Sequence, residues 1–181
     1  MRVITGKYKG RSLVAPKTGA RPTLDRMKET LFNIVNSKLQ GANVLDLFAG
    51  SGQLAIECLS RGASRAILCD NSRDAVAAIK VNFDKIGVTP ELMCCDYLDC
   101  LKSLSCQMDL VFVDPPYKAG FYNEVLKNLD ERNILKPNGW VVCEHAVEDE
   151  LPTSTGKLIC FDRRKMGSVQ FSIYQRRELC E

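Results

Sequence analysis

Asp114, Pro115, Pro116 and Tyr117 follow the apolar run Val111-Phe112-Val113 and bring together an acid, two rigid imino acids and an aromatic ring. A carboxylate beside a backbone carbonyl that proline's fixed φ holds in place can accept both protons of an exocyclic amino group on a nucleobase. That nitrogen is a weak nucleophile while its lone pair is delocalised into the ring, so a site that accepts both protons helps it pyramidalise and aims the lone pair. Tyr117 can stack on a base drawn out of its helix, an interaction of about 1 to 3 kcal/mol. With a sulfonium methyl donor, positive charge would develop on the amine, where Asp114 can stabilise it. Most of the acceleration would then come from positioning, about 7 to 11 kcal/mol.

A second group of residues could hold a nucleoside. Asp46 precedes Phe48, and Gly50 and Gly52 follow in the turn Asp46-Leu47-Phe48-Ala49-Gly50-Ser51-Gly52. The glycines let the backbone turn sharply toward a ligand, and the helix after them presents free N–H groups. Asp70, with Asn71 beside it, comes one strand-helix-strand unit later and suits a ribose; Asp96, with Tyr97 next to it, suits an adenine edge. Gly50 to Ala55 also satisfies G-x-G-x-x-[GA], and Asp70 lies 20 positions past Gly50, so a nicotinamide dinucleotide is a competing reading. Asp46 inside the strand, the lack of chain for a separate substrate domain, and the Asp-Pro-Pro-Tyr ending weigh against hydride transfer.

These residues need strand ends to carry them. Residues 43–50, 66–70, 91–96, 110–114 and 140–146 read as apolar strands, separated by amphipathic helices at 51–61, 72–86, 97–104 and 121–132, with a turn at Lys136-Pro137-Asn138-Gly139. This alternation predicts a doubly wound α/β fold with a mostly parallel sheet covered on both faces. Before it, residues 2–14 read as a β-hairpin around the Gly6 to Gly10 turn. A helix from Thr23 follows, with Met27, Leu31, Ile34 and Val35 on one stripe. After it, 157–162 and 168–175 read as an antiparallel hairpin joined by Arg163-Arg164-Lys165-Met166-Gly167, and those basic residues would make a second phosphate contact.

The length of 181 residues and 45% hydrophobic content suit one domain, residues 1–181, divided into a basic hairpin and helix (1–40) and a catalytic core (41–181). With no apolar run of membrane-spanning length and no apolar core near the N-terminus, the expected location is the cytoplasm and the expected state a monomer. Nine cysteines, an odd number without a C-x-x-C pair, read as free thiols in a reducing compartment and predict no metal. His145 reads as a strand-end residue. Net charge is +3, yet residues 1–42 carry nine Lys and Arg against Asp25 and Glu29, so a basic arm precedes an acidic body. Such an arm suits a phosphate backbone.

Asp46 to Gly52 together with Asp114 to Tyr117 resembles the amino-methyltransferases that use S-adenosylmethionine. Residues 2–16, Arg21 to Asn33 and Leu59 to Ala63 further resemble the RsmD family, which methylates guanine N2 in small-subunit (16S) ribosomal RNA. The resemblance spans nearly the whole chain. It implies the Rossmann-like class I methyltransferase fold with a seven-stranded sheet ending in an antiparallel hairpin, the donor S-adenosylmethionine with product S-adenosylhomocysteine, and ribosomal RNA or an assembling small subunit as partner. By matching positions it implies Phe48, Gly50 and Gly52 against the donor, Asp70 at its ribose, Asp96 and Tyr97 at its adenine, and Asp114 to Tyr117 at the amino group. Lys7, Lys9, Arg11 and Arg21 are assigned to RNA phosphates, with Thr23 and Asp25 near the donor. The competing readings are an adenine-N6 or other nucleic-acid amino-methyltransferase and a non-catalytic RNA-binding assembly factor.

Overall fold

Apolar segments Asn43–Asp46 (β1), Arg65–Cys69 (β2), Glu91–Met93 (β3), Met108–Val113 (β4) and Leu135–Ala146 (β5) pair in parallel. The structure is a computed structural model and describes residues 1–17, 25–116 and 120–177. Among the described residues five α-helices, Asp25–Val35 (α1), Gln53–Ser60 (α2), Arg73–Ile86 (α3), Tyr97–Ser103 (α4) and Tyr122–Glu131 (α5), accompany the strands. Ser154–Thr155 (β6), Leu158–Met166 (β7) and Val169–Arg176 (β8) complete one sheet in the order β3-β2-β1-β4-β5-β8-β7-β6. Strand β8 runs antiparallel between β5 and β7. Seven strands match the expected sheet, and β6 adds two residues at its edge.

Side-chain alternation divides the sheet cleanly. Val44, Leu110, Phe112, Val142 and Ile173 pack under Leu31, Phe32 and Val35 of α1, while Ala66 and Leu68 meet Ala55 and Ile56 of α2 and Ile79 and Phe83 of α3. The opposite residues Leu45, Ile67, Val111, Val113, Val141 and Cys143 pack under Leu101 of α4 and Val125, Leu126 and Leu129 of α5. Helix ends are set locally. The Ser72 hydroxyl accepts from the Ala75 N–H at 3.4 Å to start α3, and Gly87 closes it.

Three expectations change. β1 stops at Asp46, because Gly50 and Gly52 adopt φ of 54° and 72° and bend the chain off the sheet. The N-terminal hairpin forms as expected: Arg2 and Ser12 make an antiparallel bridge, and the N–H groups of Val3, Gly10 and Leu13 donate across it to the carbonyls of Arg11, Val3 and Met1, while those of Ile4, Thr5 and Tyr8 bond to side chains of α2. Lys136 to Gly139 lies inside β5 as an irregularity opposite Met108 and Leu110, with Asn138 at φ 60°. The last hairpin turns at Gly167, φ 64°, so Arg163, Arg164 and Lys165 belong to β7 and pair with Ser172, Phe171 and Gln170. They are strand residues rather than loop residues, and all three are exposed.

Strand order reverses between β1 and β4, where the chain goes outward in both directions. The crevice at the carboxyl ends of these two strands is where such sheets bind ligands.

Candidate active site

The glycine turn after β1 is held from the neighbouring strand. Asp70, just past β2, accepts from the Gly50 N–H at 2.8 Å through one oxygen and from the Ser72 N–H at 2.9 Å through the other. The acid assigned to a ribose is thus also the brace of the turn, with further lone pairs on each oxygen for a ligand. Asn71 is exposed beside it. Gly52 precedes α2 in the left-handed region, and a Cβ there would stand 3.1 Å from Leu68, 3.2 Å from Phe83 and 3.3 Å from Ile79. A side chain would be strained at that φ and would press on α3, so the helix can sit this close to β2 only with glycine.

Phe48 stands between the turn and β3's end. Its ring lies 5.4 Å from Tyr97 and 6.2 Å from Phe121, parallel to the latter, and Tyr97 and Phe121 are 5.1 Å apart. The Tyr97 hydroxyl donates to Glu124 of α5. Burial and that carboxylate push the Tyr97 phenol above its usual range. Asp96 is exposed and caps α4 by accepting from the Leu98 N–H at 2.9 Å. Asp70, Asp96, Tyr97 and Phe48 therefore do converge along one rim of the crevice.

Its floor is acidic. Asp46 is 2% exposed, and its Oδ2 has no hydrogen-bond partner among the described residues. Burial first, then the Asp114 and Asp70 charges, raise its pKa from 3.8 to about 7, partly offset by the Ala55 N–H of α2. Asp114, one residue past β4, keeps partial solvent access but is also pushed upward by its surroundings. Pro115 is buried and Pro116 exposed. Tyr117 lies outside the described residues.

Glu144 joins this floor, and sequence reasoning missed it. It is buried in β5 and level with Asp114, because Val113 pairs with Cys143 and each acid follows by one residue. Burial and the Asp114 charge raise its pKa. An acid interrupting Val141-Val142-Cys143 was the available signal. His145, one residue on, faces away; its ring nitrogens lie 2.8 Å from the Ser172 hydroxyl and 2.8 Å from the Ala146 carbonyl, and burial lowers its pKa. A concavity of about 370 Å³, lined by Gly120, Tyr122, Asn123, Asp149, Glu150 and Leu151, opens beside the ends of β4 and β5.

The basic arm is fastened to α2. The buried Glu57 carboxylate accepts from the Ile4 N–H at 2.9 Å, the Thr5 N–H at 3.0 Å and Arg61 at 2.9 Å. Ser60 donates to the Thr5 carbonyl and accepts from the Tyr8 N–H, and Asn82 of α3 binds both the N–H and the carbonyl of Val14. Gly6 packs so closely on Ser60 that a Cβ would overlap its carbonyl. Lys7, Lys9 and Arg11 are exposed. Lys7 sits at the far end of α2 from the glycine turn, because its N–H bonds to the Ser60 carbonyl; the eight residues of α2 span ~12 Å. The arm's basic tip and the acidic floor are not brought together. Arg21 and Thr23 lie outside the described residues, and of Asp25 the structure gives its place as the first residue of α1. Among the described residues no cluster of three metal-ligating side chains occurs, and no helix is long and apolar enough to cross a membrane.

A parallel sheet reversing between β1 and β4, an antiparallel β8 inserted beside β5, a glycine turn after β1 and Asp-Pro-Pro after β4 define a Rossmann-like methyltransferase architecture. The family model described as "Conserved hypothetical protein 95" matches residues 1–175, and the chain belongs to that family, the RsmD family. It is 33% identical to the Escherichia coli Ribosomal RNA small subunit methyltransferase D, over 97% of this chain and 90% of that protein. It is 37% identical to Bacillus subtilis YlbH over 98% of this chain and 100% of that one. The solved structure of Escherichia coli yhhF superposes with a TM-score of 0.88 at 32% identity, covering 98% of each chain.

Proposed function

We propose that the protein transfers a methyl group from S-adenosylmethionine to the exocyclic N2 amino group of a guanine in small-subunit (16S) ribosomal RNA. The observation that carries this is Asp114-Pro115 placed at the end of β4, directly beside the braced glycine turn of β1. The name of the Escherichia coli relative supports the RNA and the subunit.

The residues fit the donor. Asp46 Oδ2 and Gln53 Oε1 are buried acceptors without partners among the described residues, next to the turn where a cationic amino-acid end would lie. Asp70 and Asn71 stand at the place for a ribose, and Asp96, Tyr97 and Phe48 at the place for an adenine. When bound, S-adenosylmethionine supplies a methyl group already activated by its sulfonium and leaves as S-adenosylhomocysteine.

The chain's own part is positioning. Asp114 accepts one amino proton and the Pro115 carbonyl the other, which turns the nitrogen lone pair along the line of transfer. As the new N–CH₃ bond forms and the S–CH₃ bond breaks, Asp114 stabilises the charge developing on nitrogen, and the surplus amino proton leaves through it to solvent. Asp149 and Glu150 at the neighbouring concavity disfavour phosphate there and leave the base as the group that enters. Lys7, Lys9 and Arg11 bind backbone phosphates along α2, with Arg21 assigned to the same role and Tyr117 to stacking on the base.

The test is incubation with labelled S-adenosylmethionine and small subunits, or their RNA, lacking the modification. Label in guanine N2 is expected. Absence of label from both RNA and particle would overturn the proposal.

A further inference from the structure

Resting on the guanine reading above, we infer that Glu144 selects the base, its carboxylate accepting the guanine N1–H while Asp114 and the Pro115 carbonyl hold the adjacent N2 amino group.

Register and alternation place it there. Val113 and Cys143 are partners across β4 and β5, so Asp114 and Glu144 stand at the next level and on the same sheet face as Asp46. Glu144 is 9% exposed, and no hydrogen-bond donor among the described residues reaches its carboxyl group or that of Asp114. The backbone beneath it is rigid. Its carbonyl accepts from the buried Tyr122 hydroxyl at 2.7 Å, and it pairs with Phe171 of β8 on the other side. Two neighbouring acids, one raising the pKa of the other and neither given a donor by the described residues, favour a partner that brings donors. A ligand edge carrying adjacent N–H groups relieves both.

Guanine has such an edge, N1–H followed by the two N2 protons. Adenine and cytosine each place an acceptor nitrogen beside their amino group, so an ionised Glu144 meets a lone pair and repels it, and because its pKa is raised this discrimination strengthens as pH rises. The discrimination is therefore built from a repulsive element as well as an attractive one. Asp114 by itself accepts from any of the three amino groups and cannot supply it.

The test compares full-length wild-type protein with Glu144→Gln, an isosteric variant whose amide can donate to a ring nitrogen. Substrates are small subunits reconstituted with RNA carrying either guanine or 2-aminopurine at the methylated position; 2-aminopurine keeps the amino group but has an acceptor at N1. Wild type should prefer guanine in kcat/KM, and Glu144→Gln should shrink that preference by about 10- to 100-fold. S-adenosylmethionine binding by calorimetry should be alike in the two proteins. An unchanged preference in the variant, or loss of donor binding in proportion to activity, would overturn the inference. Should the variant fail to fold, wild type decides alone, since equal use of 2-aminopurine and guanine that persists as pH is raised above about 8 contradicts a carboxylate at N1. Failure of wild type to methylate any guanine removes the parent reading instead, so the two failures are distinct.

Discussion

Asp46 and Asp114 end adjacent parallel strands on one face of the sheet, and the charge of Asp114 raises the pKa of Asp46. The end of the crevice suited to a cationic donor and the end suited to an amino group thus share one acidic floor. Positive charge arriving at either end relieves the other.

One consequence appears in stability against pH. Asp46 ionises near pH 7 in the folded chain, against an ordinary value of 3.8. A folded state that keeps a proton the unfolded chain has released is favoured at low pH, and this contribution is lost as pH rises from about 4 through about 7. Asp46→Asn has no proton to release there. Its stability relative to wild type should rise steadily across that window, read by thermal unfolding without ligand at a series of pH values. A difference independent of pH would contradict the assignment.

Replacing the amino-group acceptor should separate binding from transfer. Asp114→Asn is expected to lower kcat by about 100-fold or more, the scale for losing one aimed electrostatic partner. Calorimetry should find donor binding largely kept. Wild-type kcat in this variant would remove Asp114 from the chemistry.

Glu57 joins the arm to the core by accepting two arm N–H groups and Arg61. Glu57→Ala leaves those donors and a guanidinium without their partner, at a cost of about 3 kcal/mol. Denaturant unfolding measures this directly. RNA affinity should fall as well, because the basic residues lose their fixed placement, and unaltered RNA affinity would show that the docked arm is not the RNA surface.

Lys7 is tied to the last residue of α2, ~12 Å along that helix from the glycine turn, and Lys9 follows two residues on in the same arm, so they should act on RNA binding more than on transfer. The double variant Lys7→Ala, Lys9→Ala should raise KM for RNA more than it lowers kcat. The slope of log affinity against log salt should weaken by about 0.7 to 0.9 per lysine. An unchanged slope would place the phosphates elsewhere.

Most of the architecture was legible because apolar strands and amphipathic helices alternate with glycine or acid at their junctions. What was not legible depended on contacts between distant segments. The arm's hairpin was legible from its local turn signals, but its docking was not, because Glu57, Ser60 and Asn82, more than fifty residues away, bind its outward N–H groups. Arg163 to Lys165 looked like loop residues by charge, yet ladder pairing with β8 keeps them in a strand. Asp46, Asp70, Asp96 and Asp114 stood out because each ends a strand next to a turn. Glu144 lies inside a strand, and its meaning appears only once β4 and β5 are in register.

The most direct measurement is the identity of the nucleoside formed. Small subunits lacking the modification are incubated with the protein and S-adenosylmethionine, and the RNA is digested and separated by mass spectrometry. N2-methylguanosine from small-subunit RNA is expected with wild type, and its loss with Asp114→Asn. Methyl groups found on adenine, on cytosine or on no nucleoside at all would contradict it.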